Sequence, residues 1–307
     1  MRKFSRREFL ELSGKFAALL GLGSTAVPGL ADALEQLAGD NQSVLWLQGQ
    51  SCSGCSVSLL NSENPGPVSL LTEYMSLLFH STLSTATGHV AMDVVHKTIE
   101  KGGYLLAVEG SIPAKMPKAC MMGHEPLTEL VLKASGNAKA IIAVGTCSSF
   151  GGIPAAENNP TGAVSLPEFL NNNNFEKPVV RLPGCPVHPD WIVGTLAHLL
   201  KFGLPGLDSM GRPKAFYSKL IHDQCPRFPD YEREIFAKTF SDNGCLFKLG
   251  CLGPNTYADC TTRYWNSRIN SCIPAGAPCI GCASKDFASK ISLSFYRKNE
   301  DRKVEEV

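Results

Sequence analysis

Short apolar segments alternate with longer amphipathic segments along the first two-thirds of the chain. The short segments are rich in β-forming residues and predict buried strands at residues 44–47, 104–108, 140–144 and 179–182. The longer segments predict helices at residues 90–100, 126–134 and 189–202. Strands that alternate with helices in this way indicate a parallel β-sheet with helices on both of its faces.

The alternation ends at a segment rich in glycine and proline, residues 203–213, which predicts a boundary between two domains. Residues 214–284 contain cysteines, glycines, prolines and isolated aromatic residues, with little strand pattern. Such a segment is expected to obtain much of its fold from bound metal, because the free energy of metal binding becomes free energy of folding.

The composition is that of an ordinary soluble globular protein, with a net charge of +1 and 44% hydrophobic residues in a chain of 307. No basic run indicates a surface for nucleic acid. The tail from Lys285 to Val307 is polar and charged, so we expect no transmembrane anchor after the last cysteines.

The first 33 residues have the layout of a twin-arginine export signal. Arg6 and Arg7 precede an apolar stretch at residues 16–22 and a small-residue site at residues 31–33. The apolar stretch is far shorter than the ~20 residues that a membrane span needs. We therefore expect a periplasmic protein, with a chance amphipathic N-terminus as the alternative.

Four cysteines follow the ends of three predicted strands. Cys52 and Cys55 come after the first strand, Cys147 after the third and Cys185 after the fourth. Because ligands of such sheets gather beyond the carboxyl ends of the strands, we expect these thiols to meet at one edge. A C-x-x-C pair alone also fits a zinc knuckle or a thioredoxin-like redox pair. The two further cysteines favour a [4Fe–4S] cluster, with structural zinc as the alternative.

Most of the remaining cysteines form two further sets of four ligands, one of which a histidine completes. These sets are His222, Cys225, Cys245 and Cys251, and Cys260, Cys272, Cys279 and Cys282. Three sets predict three metal centres, and three centres in one chain indicate an electron relay. Cys120 has no partner at ligand spacing and is expected to be a free thiol.

The export route and the cysteines support each other. Proteins with a twin-arginine signal cross the membrane folded, so thiolate-bound cofactors can be inserted beforehand in the reducing cytoplasm. The alternative is a secreted protein in which the twelve cysteines form disulfides. A chain of this length can bury its own core and does not need such cross-links.

Over essentially its whole length, the chain resembles the small subunit of nickel–iron hydrogenases. The motifs that carry the resemblance lie at residues 52–60, 145–147 with Gly151 and Gly152, 183–186, 258–260 and 278–282. The resemblance implies a flavodoxin-like parallel-sheet domain at residues 40–205, with a proximal cluster. It implies a largely irregular and helical iron–sulfur domain at residues 206–290, with medial and distal clusters, and a polar tail at residues 291–307.

The family pattern also implies the ligands of each cluster. The proximal ligands are Cys52, Cys55, Cys147 and Cys185, the medial ligands include Cys260, Cys279 and Cys282, and the distal ligands are His222, Cys225, Cys245 and Cys251. Many family members have proline in place of Cys272 and hold a three-iron medial cluster. Cysteine there resembles the nickel–iron–selenium branch, as does the sequence at residues 57–61. We therefore expect three [4Fe–4S] clusters, with a [3Fe–4S] medial cluster as the alternative.

The resemblance implies an obligate large subunit whose nickel–iron site splits hydrogen. This chain is expected to hold no catalytic residue and to relay electrons between that site and an external carrier. For a periplasmic enzyme without an anchor, the family suggests a multihaem cytochrome c. The alternatives are a cytoplasmic hydrogen-sensing relative and the iron–sulfur subunit of a related quinone oxidoreductase. The export signal counts against both, and the second cysteine-rich segment counts against the latter.

Three other polar residues lie near the predicted sites or motifs. Glu109 ends the second predicted strand beside the proximal site, where it could assist proton or partner contacts. A structural carboxylate that caps nearby backbone is the alternative. His124 and His188 have only their neighbourhood to suggest a function, and we expect both to be structural.

Overall fold

The computed structural model describes residues 42–156 and 159–288. Five parallel strands form one sheet in the spatial order β2-β1-β3-β4-β5, which is the order of flavodoxin-like sheets. They are β1 (Gln42–Gln48), β2 (Met75–His80), β3 (Leu105–Glu109), β4 (Ala140–Val144) and β5 (Val179–Leu182). The predicted parallel sheet is confirmed, and β2 is an edge strand that the sequence pattern did not predict.

Helices connect the strands and cover the sheet. The longer ones are α1 (Gly54–Leu60), α2 (Gly88–Lys101), α3 (Leu127–Asn137), α4 (Gly145–Phe150), α5 (Leu166–Asn172) and α6 (Pro189–Phe202), and a short helical segment, Pro67–Ser69 followed by Leu70–Tyr74, precedes β2. The three predicted helices correspond to α2, α3 and α6. Helix α6 starts where its sequence favours a start, because His188 caps the Asp190 amide and Pro189 occupies the first turn.

The two faces of the sheet bury different sets of side chains, as strand alternation requires. On one face Leu45 and Leu106 pack with α2, α3 and α5. On the other face Trp46 and Ile142 pack with α1, α6 and residues of the C-terminal segment. Burial of each such leucine or isoleucine stabilises the fold by about 1.5–3 kcal/mol.

The C-terminal segment, residues 214–288, is largely irregular, as predicted. Its helices are α7 (Lys214–Tyr217), α8 (Phe228–Glu232) and α9 (Cys260–Arg263), and the rest is single turns and bends. The segment is anchored to the sheet domain by the Tyr217 hydroxyl, which donates to the Pro183 carbonyl over 2.8 Å. The Trp191 indole also donates to the Asp259 carboxylate over 2.8 Å. Both bonds lie close to cysteines of the predicted sets.

The predicted export signal and the polar tail lie outside the described residues. Within the described ranges, none of the helices has both the length and the hydropathy that crossing a bilayer requires.

Candidate metal centres

The proximal set, Cys52, Cys55, Cys147 and Cys185, lies at the carboxyl edge of the sheet. The first two flank the start of α1 directly after β1, the third lies in α4 directly after β4, and the fourth follows β5. The thiols are close enough to interact electrostatically: Cys147 interacts with Cys185 and Cys52, and Cys55 with Cys147 and Cys185. The structure therefore brings together all four residues that the sequence grouped.

Glycines allow the backbone to approach these sulfurs closely. At Gly145, where φ is +82°, a Cβ atom would lie 2.5 Å from the Cys55 sulfur. At Gly152, where φ is +55°, a Cβ atom would lie 2.9 Å from the Cys147 sulfur. Both positions combine a left-handed backbone with a contact that a side chain would block, so only glycine fits there.

Burial shifts the acidity of the proximal thiols. It raises the pKa of Cys147 and of Cys185 to about 11, and repulsion between neighbouring thiolates adds to the effect. Burial and the nearby Glu109 carboxylate also raise the pKa of Cys55 well above its usual value. A metal centre must therefore displace protons from these sulfurs when it binds.

Glu109 is buried under the proximal set and accepts four hydrogen bonds. One carboxylate oxygen accepts from the Cys55 amide over 3.1 Å. The other accepts from the Trp46 indole and the Gln48 amide, each over 3.2 Å, and from the Ser56 hydroxyl. The side chain is 2% exposed. This geometry supports the structural alternative, a carboxylate that caps backbone and fixes the start of α1.

His80 extends this network on the side of the edge strand β2. Its Nδ1 atom accepts from the Thr82 amide over 3.1 Å, so that nitrogen carries no proton. Burial lowers the pKa of the fully buried imidazole, which favours the neutral form. Its proton therefore lies on Nε2, which donates to the Ser56 hydroxyl over 2.9 Å. The hydroxyl in turn donates to Glu109.

The medial set is Cys260, Cys272, Cys279 and Cys282. The Cys260 thiol interacts electrostatically with the other three, which places the four sulfurs around one region. Burial raises the pKa of Cys282 to about 11 and that of Cys260 and Cys279 in the same direction. Cys272 differs from them because it is exposed. The Gly281 amide donates to the Cys279 sulfur over 3.4 Å.

The distal set comprises His222, Cys225, Cys245 and Cys251, and all four residues line one small cavity. Aromatic rings surround the histidine, with Phe228 at 5.0 Å and Tyr231 at 4.6 Å between ring centroids. Burial lowers the pKa of His222, so the imidazole is favoured in the neutral form that a metal requires. The Arg227 amide donates to the Cys225 sulfur over 3.4 Å.

Hydrogen bonds connect the three sets in the order proximal, medial, distal. The Thr146 hydroxyl, next to Cys147, donates to the Cys282 carbonyl. The Cys279 amide donates to the Cys251 sulfur over 3.4 Å. The sets therefore form a continuous series. Sequence spacing did not identify Thr146, although its position beside a predicted ligand was a signal that could have singled it out.

The donor sets suit iron–sulfur clusters. Two contain four thiols and the third contains three thiols with an imidazole, and both thiolate and imidazole ligands occur in iron–sulfur proteins. Four thiolates around one zinc ion would lie within ~4 Å of one another. In residues 42–156 and 159–288, no three histidine, cysteine or acidic side chains are grouped tightly enough to hold a single metal ion.

The remaining sequence candidates lie apart from the three sets. Cys120 is half-buried, burial raises its pKa, and its sulfur lies 4.0 Å from the Gln48 carbonyl oxygen. His188 is buried, caps α6 and contacts the Tyr264 carbonyl over 2.6 Å, which is a structural role. His124 is exposed.

Two family models match the chain in succession. Residues 52–199 match the NADH ubiquinone oxidoreductase 20 Kd subunit, and residues 217–295 match the C-terminal part of the NiFe/NiFeSe hydrogenase small subunit. The second model includes all eight residues of the medial and distal sets.

Known proteins of similar sequence include hydrogenase small subunits. The chain is 43% identical over 303 residues to the periplasmic [NiFeSe] hydrogenase small subunit of Desulfomicrobium baculatum, covering 92% of this chain and 96% of the relative. It is 40% identical over 289 residues to the hydrogenase-2 small chain of Escherichia coli K12, covering 91% and 76%.

Solved structures show the same fold. The [NiFeSe] hydrogenase of Desulfomicrobium baculatum superposes with a TM-score of 0.79 at 43% identity, covering 82% of this chain and 99% of that chain. The actinobacterial-type NiFe-hydrogenase of Ralstonia eutropha H16 superposes with a TM-score of 0.74 at 31% identity, covering 82% and 81%.

Proposed function

Because the chain belongs to the family of [NiFe] and [NiFeSe] hydrogenase small subunits, we propose that it is the electron-relay subunit of such an enzyme. The observation that carries the proposal is the connected series of three four-ligand sets. Iron–sulfur clusters bound at these sets would exchange single electrons. The chain would move electrons between a hydrogen-splitting site in a large subunit and an external carrier.

We assign one cluster to each set. The ligands are Cys52, Cys55, Cys147 and Cys185 for the proximal cluster, Cys260, Cys272, Cys279 and Cys282 for the medial cluster, and His222, Cys225, Cys245 and Cys251 for the distal cluster. The chain supplies the ligand atoms, excludes water by burial and holds the neighbouring amides that donate to the sulfurs. We propose [4Fe–4S] at every site, with [3Fe–4S] as the alternative at the medial site.

The surface beside the proximal set suits a large subunit. Helix α1 directs Val57 and Leu60 outward, with 58% and 37% of their surface exposed. Cys52, which lies just before this helix, is also exposed. Exposed apolar side chains at the edge of a cofactor site are typical of a surface that a partner covers. We place the large subunit on this face and the external carrier, a multihaem cytochrome c, at the distal end.

We also propose periplasmic location through twin-arginine export, directed by residues 1–33. Two curated relatives are themselves named periplasmic small subunits. The sheet domain would extend over residues 40–205 and the second cluster domain over residues 206–290, with residues 291–307 as a tail. The shared core shows that the two parts pack against each other.

The quinone oxidoreductase alternative has one observation in its favour, the family match at residues 52–199. That match covers the sheet domain and the proximal set alone. The hydrogenase match at residues 217–295 covers the segment that distinguishes the two classes. The sheet domain is therefore common to both, and the C-terminal segment favours a hydrogenase.

The test is to purify the chain with the large subunit of the same organism and to assay iron, sulfide and hydrogen-dependent dye reduction. We expect about twelve irons in this subunit, three clusters by electron paramagnetic resonance, and dye reduction by hydrogen. Cys185→Ala should abolish dye reduction and weaken the heterodimer, whereas Cys120→Ala should leave iron content unchanged. A Cys185→Ala complex with full activity and normal iron content would contradict the ligand assignment.

A further inference from the structure

Thr146 lies between the proximal and medial sets and is not itself a predicted ligand. Its side chain is 1% exposed. Its hydroxyl oxygen accepts from the Gly184 amide over 2.8 Å and donates to the Cys282 carbonyl. Since an amide N–H can only donate and a carbonyl can only accept, both roles of the hydroxyl are assigned without ambiguity. The hydroxyl therefore binds two cluster loops at once, one as acceptor and the other as donor.

The same residue also holds the two proximal loops together through its backbone. The Thr146 amide donates to the Gly184 carbonyl over 3.0 Å, so Thr146 and Gly184 exchange two hydrogen bonds. Cys147 and Cys185 directly follow these two residues in the chain. A change in the position of Thr146 would consequently move both proximal ligands.

Cys282 is held from the proximal side at its carbonyl, which accepts from the Thr146 hydroxyl. Its neighbour Ala283 is fully buried in the core that the sheet domain shares with the C-terminal segment. A ligand of the medial set is thus fixed by the loops of the proximal set.

We propose that Thr146 is a positioning residue for electron transfer between the proximal and medial centres. Its hydroxyl fixes the distance between the two ligand sets and provides a short bonded route from Cys147 to Cys282. The transfer that it influences moves one electron between two sites of this chain and makes or breaks no bond at Thr146. This inference rests on the proposed function, because it requires clusters at both sets.

The test compares three variants in the purified heterodimer. Thr146→Val removes the hydroxyl and keeps the branched shape, and Thr146→Ser keeps the hydroxyl and removes the methyl group. Thr195→Val is the matched control: this threonine is equally buried in α6, and its hydroxyl has no hydrogen-bond partner among the described residues. The two valine substitutions are nearly isosteric.

Four quantities are measured for each variant: iron content, hydrogen–deuterium exchange at the partner's site, the magnetic interaction between the reduced proximal and medial clusters, and the rate at which hydrogen reduces the distal cluster. We expect Thr146→Val to retain its iron and its hydrogen–deuterium exchange at the partner's site. Its magnetic interaction should change, and distal reduction should slow several-fold. Thr146→Ser and Thr195→Val should resemble the unmodified complex.

Native magnetic interaction together with a native rate in Thr146→Val would overturn the proposal. If Thr146→Val fails to assemble, the result for Thr146→Ser decides. Native magnetic interaction and a native rate in Thr146→Ser would support the role of the hydroxyl. Failure of Thr146→Ser to assemble would overturn the proposal and assign the effect to packing of the methyl group. Failure of the proposed function looks different, because the unmodified complex would then lack clusters or show no reduction by hydrogen.

Discussion

At the scale of single residues, the Glu109 carboxylate is notable because it accepts four hydrogen bonds beneath the proximal set. A buried carboxylate is stable only when donors replace the water that it loses. Here four donors do so, and one of them is the amide of Cys55, which we assign as a proximal ligand. The fixed negative charge lies close enough to Cys55 and Cys147 to interact with both thiols.

Glu109→Gln should therefore destabilise the complex and shift the proximal potential. An amide in place of the carboxylate turns an NH₂ group toward at least one existing donor, and each lost charge-assisted bond costs about 1.5–3 kcal/mol. Removal of the negative charge should raise the proximal reduction potential, as measured by redox titration with electron paramagnetic resonance. The exposed Glu100→Gln is the control and should change neither quantity. An unchanged potential in Glu109→Gln would show that the carboxylate is not charged beside the cluster.

Cys272 determines the type of the medial cluster in our assignment. Proline offers no ligand atom, so Cys272→Pro should leave the fourth iron without a protein ligand and yield a [3Fe–4S] centre. The exposure of Cys272 strengthens this expectation, since the uncovered iron would face solvent. The medial potential should rise, because cluster type and charge set it. A complex of this kind should favour hydrogen uptake over hydrogen production.

Electron paramagnetic resonance of the oxidised complex measures this change directly. The variant should gain a strong three-iron signal and lose about one iron per complex. Cys120→Ala, which alters a thiol outside the three sets, should do neither. A strong three-iron signal in the unmodified protein would mean that Cys272 is not a ligand.

At the scale of elements, the strand pattern was sufficient to locate the proximal set. Each predicted strand is a short apolar segment, and the cysteines follow the carboxyl ends of three of them, where the sheet geometry brings them together. Strand β2 could not be predicted in this way. Leu77 and its neighbours are half-buried at the sheet edge, and β2 is defined by its parallel pairing with β1.

The hydrogen bonds that join His80, Ser56 and Glu109 behind the proximal set could not be predicted from the sequence for the same reason. His80 reaches Ser56 only because β2 pairs with β1 in the register that places it beside Trp46. That contact depends on long-range pairing, which no local pattern contains. The distal set shows the opposite case, because cysteine spacing and one histidine sufficed to group residues that line a common cavity.

Helix α6 links the sheet domain to the C-terminal segment, and Trp191→Phe tests that link. The substitution removes the indole donor to Asp259 and part of a ring that lies 5.0 Å from Tyr217. We expect the free energy of unfolding to fall by about 1.5–3 kcal/mol, because the acceptor is charged and the indole is buried. Thermal unfolding and protease cleavage within residues 214–288 measure the effect.

Trp265→Phe is the control for this substitution. Trp265 is half-buried against the His188 ring, with 4.5 Å between ring centroids. Its replacement by phenylalanine should lower the free energy of unfolding by less than Trp191→Phe does. Asp259 keeps its ion pair with Arg263 in either variant. Equal sensitivity of the two variants would assign the effect to ring volume rather than to the hydrogen bond.

At the scale of the whole molecule, the three sets span both parts of the chain. The proximal set belongs to the sheet, the medial and distal sets belong to the irregular segment, and one core connects them. Thiols whose pKa is raised to about 11 by burial, as at Cys147 and Cys282, must give up protons when clusters bind. In the proposed relay, cluster insertion would thus be coupled to folding and would take place in the compartment where thiols stay reduced.

Because clusters would be inserted before export, the folded chain and its partner would cross the membrane together. We predict that the arginine pair in the N-terminal segment directs this export. Replacement of both Arg6 and Arg7 by lysine keeps the charge but removes the guanidinium groups that the receptor for folded proteins reads. The chain should then remain in the cytoplasm with its clusters in place. A large subunit that has no signal of its own is exported as a passenger and should remain with it. Activity and both subunits are measured in separated periplasmic and cytoplasmic fractions. Arg2→Lys, which leaves the pair intact, should export normally, whereas undiminished periplasmic activity in the double variant would show that the arginine pair does not direct export.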